Sequence, residues 1–102
     1  MTSLSEQFRL AAKDWVDKEY AASVLEETKS AVLSQRMAEL GDVPVSHAER
    51  DVKASKEWAH WIKSMVEARK EANLAKVRME WIRMRFSEQQ SAEATARAEM
   101  KL

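Results

Sequence analysis

The only Gly and the only Pro of this chain stand three residues apart, in Gly41-Asp42-Val43-Pro44. Turns draw heavily on both residues, so a 102-residue chain with one of each has room for one obvious reversal and for long regular elements on either side. Ala, Glu, Lys, Arg, Met and Gln dominate those flanks, and all are strong helix formers. β-branched residues are scattered and never alternate over a strand-length run. The expectation is an all-α fold: two long helices in an antiparallel hairpin, forming one domain over residues 1–102.

The boundaries follow from capping chemistry. Ser3 precedes Glu6 by three residues, and Ser46 precedes Glu49 by three. In such a capping box the Ser oxygen accepts a free N–H of the first helical turn, and the Glu reaches back to the cap's own N–H. Gly41 suits the left-handed residue that closes a helix, and Pro44 biases Val43 away from helical backbone. The pattern predicts helix 1 over residues 4–40, a turn over 41–46 and helix 2 over 47–86. Val45 is expected to pack as a staple on Arg50 or Val52. Residues 87–102 favour helix by propensity but have few apolar anchors, so they either extend helix 2 or fray.

Apolar residues recur at three- and four-residue steps along both segments. Leu4, Phe8, Ala11, Trp15, Ala22, Leu25, Val32, Leu33, Met37 and Leu40 form one stripe on helix 1, interrupted by Lys18 and Lys29. Trp58, Ile62, Met65, Ala72, Ala75, Met79, Ile82 and Phe86 form its counterpart on helix 2, with a repeat close to seven that suits coiled-coil-like packing. Leu74, Val77, Trp81 and Met84 form a second stripe on helix 2, more than a quarter turn from the first, and Val16, Tyr20 and Val24 echo it weakly on helix 1. Two helices cannot enclose a core on all sides. The second stripe is therefore the expected oligomer interface, and a homodimer or higher even-numbered helical bundle is the expected assembly. Isolated exposed apolar residues are common on any surface, and four in register on one face weigh against that plainer explanation.

Little in the sequence points to catalysis. Cys is absent, which removes thiolate nucleophiles, thiolate metal sites and disulfides. There is no phosphate-binding Gly-rich loop, no strained Ser elbow and no paired His of the zinc-protease type. Glu57-Trp58-Ala59-His60 matches the E-x-x-H of di-iron bundles, and a hairpin would set Glu26 and Glu27 roughly opposite it. His60, however, lies ~160° from the local apolar stripe, whereas such ligands must point inward. No metal, no cofactor and no enzymatic activity are expected. No apolar run approaches the ~18 residues of a membrane span, and Met1-Thr2-Ser3-Leu4-Ser5-Glu6 lacks the basic and apolar regions of a signal peptide. A cytoplasmic location with no membrane partner is the expectation.

Charge is balanced overall and unevenly spread. Residues 1–50 carry six basic and nine acidic side chains, and residues 51–86 carry nine basic and five acidic. Such asymmetry serves either an external anionic partner or attraction between the two helices. Lys63, Lys70, Arg78 and Arg85, near Trp61 and Trp81, are the candidate contacts for nucleic acid. Arg69, Lys76 and Arg83 flank one side of the main stripe and Arg78 and Arg85 the other, positions from which helices pair charges across a seam. Helix 1 offers Asp14, Asp17, Glu19, Glu26 and Glu27, and pairing within or between subunits is the favoured expectation.

Three stretches carry a resemblance. They are Ala21-Ala22-Ser23-Val24-Leu25-Glu26-Glu27-Thr28-Lys29-Ser30-Ala31-Val32-Leu33, the turn Gly41-Asp42-Val43-Pro44-Val45-Ser46, and Ile82-Arg83-Met84-Arg85-Phe86-Ser87-Glu88-Gln89-Gln90-Ser91-Ala92-Glu93. Together they resemble a family of small uncharacterised helical proteins encoded by tailed bacteriophages and prophages. The resemblance implies a host-cytoplasmic setting and, from the family's proximity to recombination genes, an accessory role near DNA. It supplies no activity and no site residue. The chain's size is also similar to that of the secreted hairpins with a Trp-x-Gly turn, but no Trp-x-Gly stands in this turn. The combined expectation is an oligomeric protein-interaction module with itself and another phage or host protein as partners; the alternative is a nucleic-acid-binding accessory to phage recombination or replication.

Overall fold

The computed structural model describes residues 2–101; Met1 and Leu102, the ends of the predicted domain and tail, lie outside them. Helix α1 is Leu4–Glu39, α2 is Val45–Lys53 and α3 is Lys56–Met100. The start of α1 follows the capping argument in part. Ser3 Oγ accepts the Glu6 N–H at 3.2 Å. The Glu6 carboxylate does not complete the box; it turns forward to the Arg9 guanidinium, at 2.9 and 2.5 Å. The end of α1 is set by Gly41, whose φ of 81° lies in the left-handed region and whose N–H bonds Ala38 O at 3.1 Å. A Cβ on Gly41 would meet nothing within 4 Å, so backbone conformation and not space is what favours glycine here.

Two predicted boundaries are corrected. Ser46 is not a cap. Val45 is already the first residue of α2, and Pro44 holds the cap position with no side-chain hydrogen bond. Pro44 brings a pre-set φ, and its carbonyl accepts the Ala48 N–H at 2.9 Å, so the helix begins two residues earlier than a cap at Ser46 would set it. Val45 is left 72% exposed and staples nothing. Helix 2 is also not one rod: α2 closes at Ala54, and the backbone turns extended at Ser55 before α3 begins. The Ser55 hydroxyl donates to Val52 O at 2.6 Å and accepts the Trp58 N–H at 3.1 Å, closing one helix and capping the next. This break lets the short α2 bury Ala48 and Val52 while α3 starts with Trp58 buried.

Helices α1 and α3 pack extensively and antiparallel. Lys76 lies by Trp15, Arg69 by Glu26, and Glu57 shares a depression with Arg36. The predicted seam is the observed one. Ala11, Ala22, Trp58, Ala72, Ala75 and Ile82 are buried, and Leu4, Phe8, Trp15, Leu25, Val32, Leu33, Met37, Ile62, Met65, Met79 and Phe86 are half-buried. Leu40 is the exception, exposed where α1 ends. Of the two interrupting lysines, Lys18 is half-buried with its amine 3.2 Å from Asp14, and Lys29 is exposed. Among the described residues only Ala22 and Ala72 have no exposed surface, and the antiparallel register sets them at about the same level. These small residues let the backbones approach; the larger side chains around them keep one flank in water.

The resulting shape is a rod of 83 × 18 × 17 Å. The C-terminal segment extends α3 and does not fray: residues 87–100 are helical and all exposed. No described helix is long and apolar enough to cross a membrane.

Candidate functional site

The side of α3 turned away from α1 is the principal feature of the surface. At ~100° per residue, Leu74, Val77, Trp81 and Met84 centre roughly 150° from Ala75, Met79, Ile82 and Phe86, which face the seam. The four are exposed by 58, 62, 54 and 56% respectively. Val66 belongs to the same face and was not singled out from the sequence, because Lys70 interrupts the apolar steps between it and Leu74. Val66, Leu74 and Val77 line one shallow depression with Arg69, Lys70 and Asn73, all from α3. Trp81 lines a second groove with Leu10, Asp14 and Arg78, so this patch crosses to α1 at Leu10. Val16, Tyr20 and Val24 are exposed on α1.

Cations accompany the apolar face. The Arg85 guanidinium stands 5.1 Å from the centre of the Trp81 ring, a cation–π placement that also screens the indole. Lys63 reaches Glu67 at 4.0 Å. Lys70, Arg78 and Arg85 are exposed and form no ion pair among the described residues. All four candidate anion contacts therefore lie on α3 and reach solvent.

The seam itself takes up one of the expected cations, Arg69, which pairs with two of the expected carboxylates. Arg69 grips Glu26 with two parallel bonds, Nε to Oε2 at 2.8 Å and Nη2 to Oε1 at 2.7 Å, and reaches Glu19 with Nη1 at 2.5 Å. The hydrogen bond from Arg69 lowers the Glu26 carboxyl below its ordinary pKa, and the bonds to Glu26 and Glu19 raise the guanidinium's. The remaining seam charges do not follow suit. Lys76 sits 5.8 Å from the Trp15 ring, while Asp14 and Asp17 pair within α1 to Lys18 and Lys13.

The di-iron geometry considered for Glu57 and His60 does not form. Glu26 is engaged with Arg69, farther along α3, and the α1 residue beside Glu57 and His60 is Arg36. A guanidinium there opposes cation binding. Among the described residues no three His, Asp or Glu side chains converge as a metal site. His47 and His60 are both exposed. Trp58 and Trp61 stack at 5.3 Å between centroids, with their planes 11° apart, which accounts for two of the four tryptophans within the fold.

No family model matches the chain, and neither does any curated protein or solved structure.

Proposed function

We propose that this protein is a non-catalytic helical interaction module that works as a homo-oligomer and docks through the outward face of α3. The observation that carries the reading is the run Leu74, Val77, Trp81 and Met84, all more than half exposed in one register. Each such side chain gains ~1.5–3 kcal/mol on full burial, so an isolated hairpin forgoes several kcal/mol on this face alone. A thin two-layer rod has no other way to cover it within one chain. A second copy is the simplest cover, since one self-complementary face then satisfies both molecules. Coiled-coil-type contacts along the seven-residue repeat fit such an assembly. A phage or host protein would be the further partner. The phage setting rests on the three sequence stretches that carry the resemblance.

Sedimentation equilibrium tests the reading. The wild-type chain should be dimeric, or a higher even oligomer, at micromolar concentration, and Trp81→Glu should shift it to monomer while far-ultraviolet circular dichroism stays helical. A monomeric wild type, or a Trp81→Glu chain of unchanged mass, overturns it.

One observation favours a second reading, nucleic-acid binding in phage recombination or replication. Lys70, Arg78 and Arg85 are unpaired among the described residues, and Arg85 lies against an exposed indole on which a base could stack. Binding to single- or double-stranded DNA that weakens steeply with salt would support it.

A further inference from the structure

The outward stripe of α3 reads the same in both directions. Leu74, Val77, Trp81 and Met84 are separated by steps of three, four and three residues, and four residues beyond each end stand Lys70 and Glu88. Another four residues out lie Val66 and Ala92. Such a pattern is what an antiparallel pairing of a helix with its own copy requires, because a two-fold axis maps each position onto one equally far from the centre. We infer that two copies of this chain pair antiparallel through α3, with the two-fold axis at the level of Met79. This rests on the self-association proposed above and specifies its geometry.

In that register Leu74 meets Met84 of the second copy, Val77 meets Trp81, and Val66 meets Ala92. Apolar positions thus face only apolar ones. Lys70 meets Glu88, both at the centre of the outward face. Lys70 and Glu88 form no ion pair within their own chain among the described residues, so these partners are available. A parallel, in-register pair would set Lys70 on Lys70 and Glu88 on Glu88, placing like charges at both ends of the contact. Charge therefore selects the antiparallel arrangement. The register also gives the otherwise solvated start of the C-terminal segment, at Glu88 and Ala92, something to touch.

Two measurements on the full chain decide the matter. In sedimentation equilibrium, Lys70→Glu and Glu88→Lys should each weaken dimerisation roughly five- to tenfold, since each reversal turns two attractions per dimer into repulsions, and the double variant should regain most of the loss. The chain has no Cys, so spin labels on Cys introduced singly at Lys63 and Gln90 report one distance each. At ~1.5 Å per residue along the helix, antiparallel pairing about Met79 gives roughly 50 Å between the two labels at position 63 and roughly 35 Å at position 90. A dimer with both distances short, or a double reversal that restores nothing, overturns this register and leaves self-association standing. A chain that shows no dipolar coupling and sediments as a monomer overturns both.

Discussion

Serines decide where α1 and α3 begin, and not every serine in a cap-like position acts. Ser3 and Ser55 accept N–H groups three residues ahead, at 3.2 and 3.1 Å; Ser46 does not, because Pro44 has already opened α2. Ser55→Ala should therefore cost ~1 kcal/mol in urea unfolding and Ser46→Ala close to nothing. The opposite ranking would place the second helical start back at residue 46. Charge at residue scale is concentrated on Arg69. Its hold on Glu26 lowers that carboxyl's pKa in the folded chain, so the pair stabilises the fold above the ordinary carboxylate pKa. That contribution declines as pH falls from the unfolded value through the lower folded one. Glu26→Gln should accordingly be less stable than wild type at neutral pH, with the gap closing under acid; a gap that stays constant down to strongly acidic pH would remove Glu26 from the account.

At the scale of elements, the seam is held by size as much as by hydrophobicity. Ala22 and Ala72 are fully hidden, and their methyl groups set how close α1 and α3 come. Ala72→Leu should destabilise by ~1–3 kcal/mol through overpacking, measured as a lower urea midpoint. An unchanged midpoint would mean the helices have room to separate. The end of α3 behaves differently, because residues 87–100 are helical yet exposed throughout. Their helicity comes from residue propensity and continuation of an existing helix, which needs no fresh nucleus. Removing residues 94–102 should lower helical signal in proportion and shift unfolding of the remaining rod by no more than ~0.5 kcal/mol.

For the whole molecule, the consequence of an 83 Å rod is that much apolar surface stays in water. If the outward face of α3 is covered by a second copy, folding and association are linked, and the melting temperature should rise with protein concentration. A melting temperature constant over a hundredfold range of concentration would mean that the hairpin stands alone. The same linkage makes Trp81→Glu destabilising at high concentration and nearly silent at low, a contrast that a simple surface substitution would not show.

The sequence by itself determined the helical class, the reversal at Gly41 and the seam, because each depends on local rules: propensity, left-handed backbone at one residue, and apolar spacing at the helical period. The residues of the second stripe were also legible, as periodic positions that one neighbour could not cover. The break at Ala54 and Ser55 was not. No Gly or Pro marks it, and Ser55 lacks a glutamate three residues on; the Ser55 hydroxyl caps α3 there, and the short α2 before it buries Ala48 and Val52. Nor did composition decide which acid Arg69 would hold. Several carboxylates on α1 offered themselves, and the antiparallel register, set by alanine contacts along the seam, delivered Glu26 and Glu19 to the guanidinium and left Asp14 and Asp17 to lysines of their own helix. Local rules act within a turn or two of helix, whereas bends and cross-helix partners depend on surfaces that exist only after the two long helices have met.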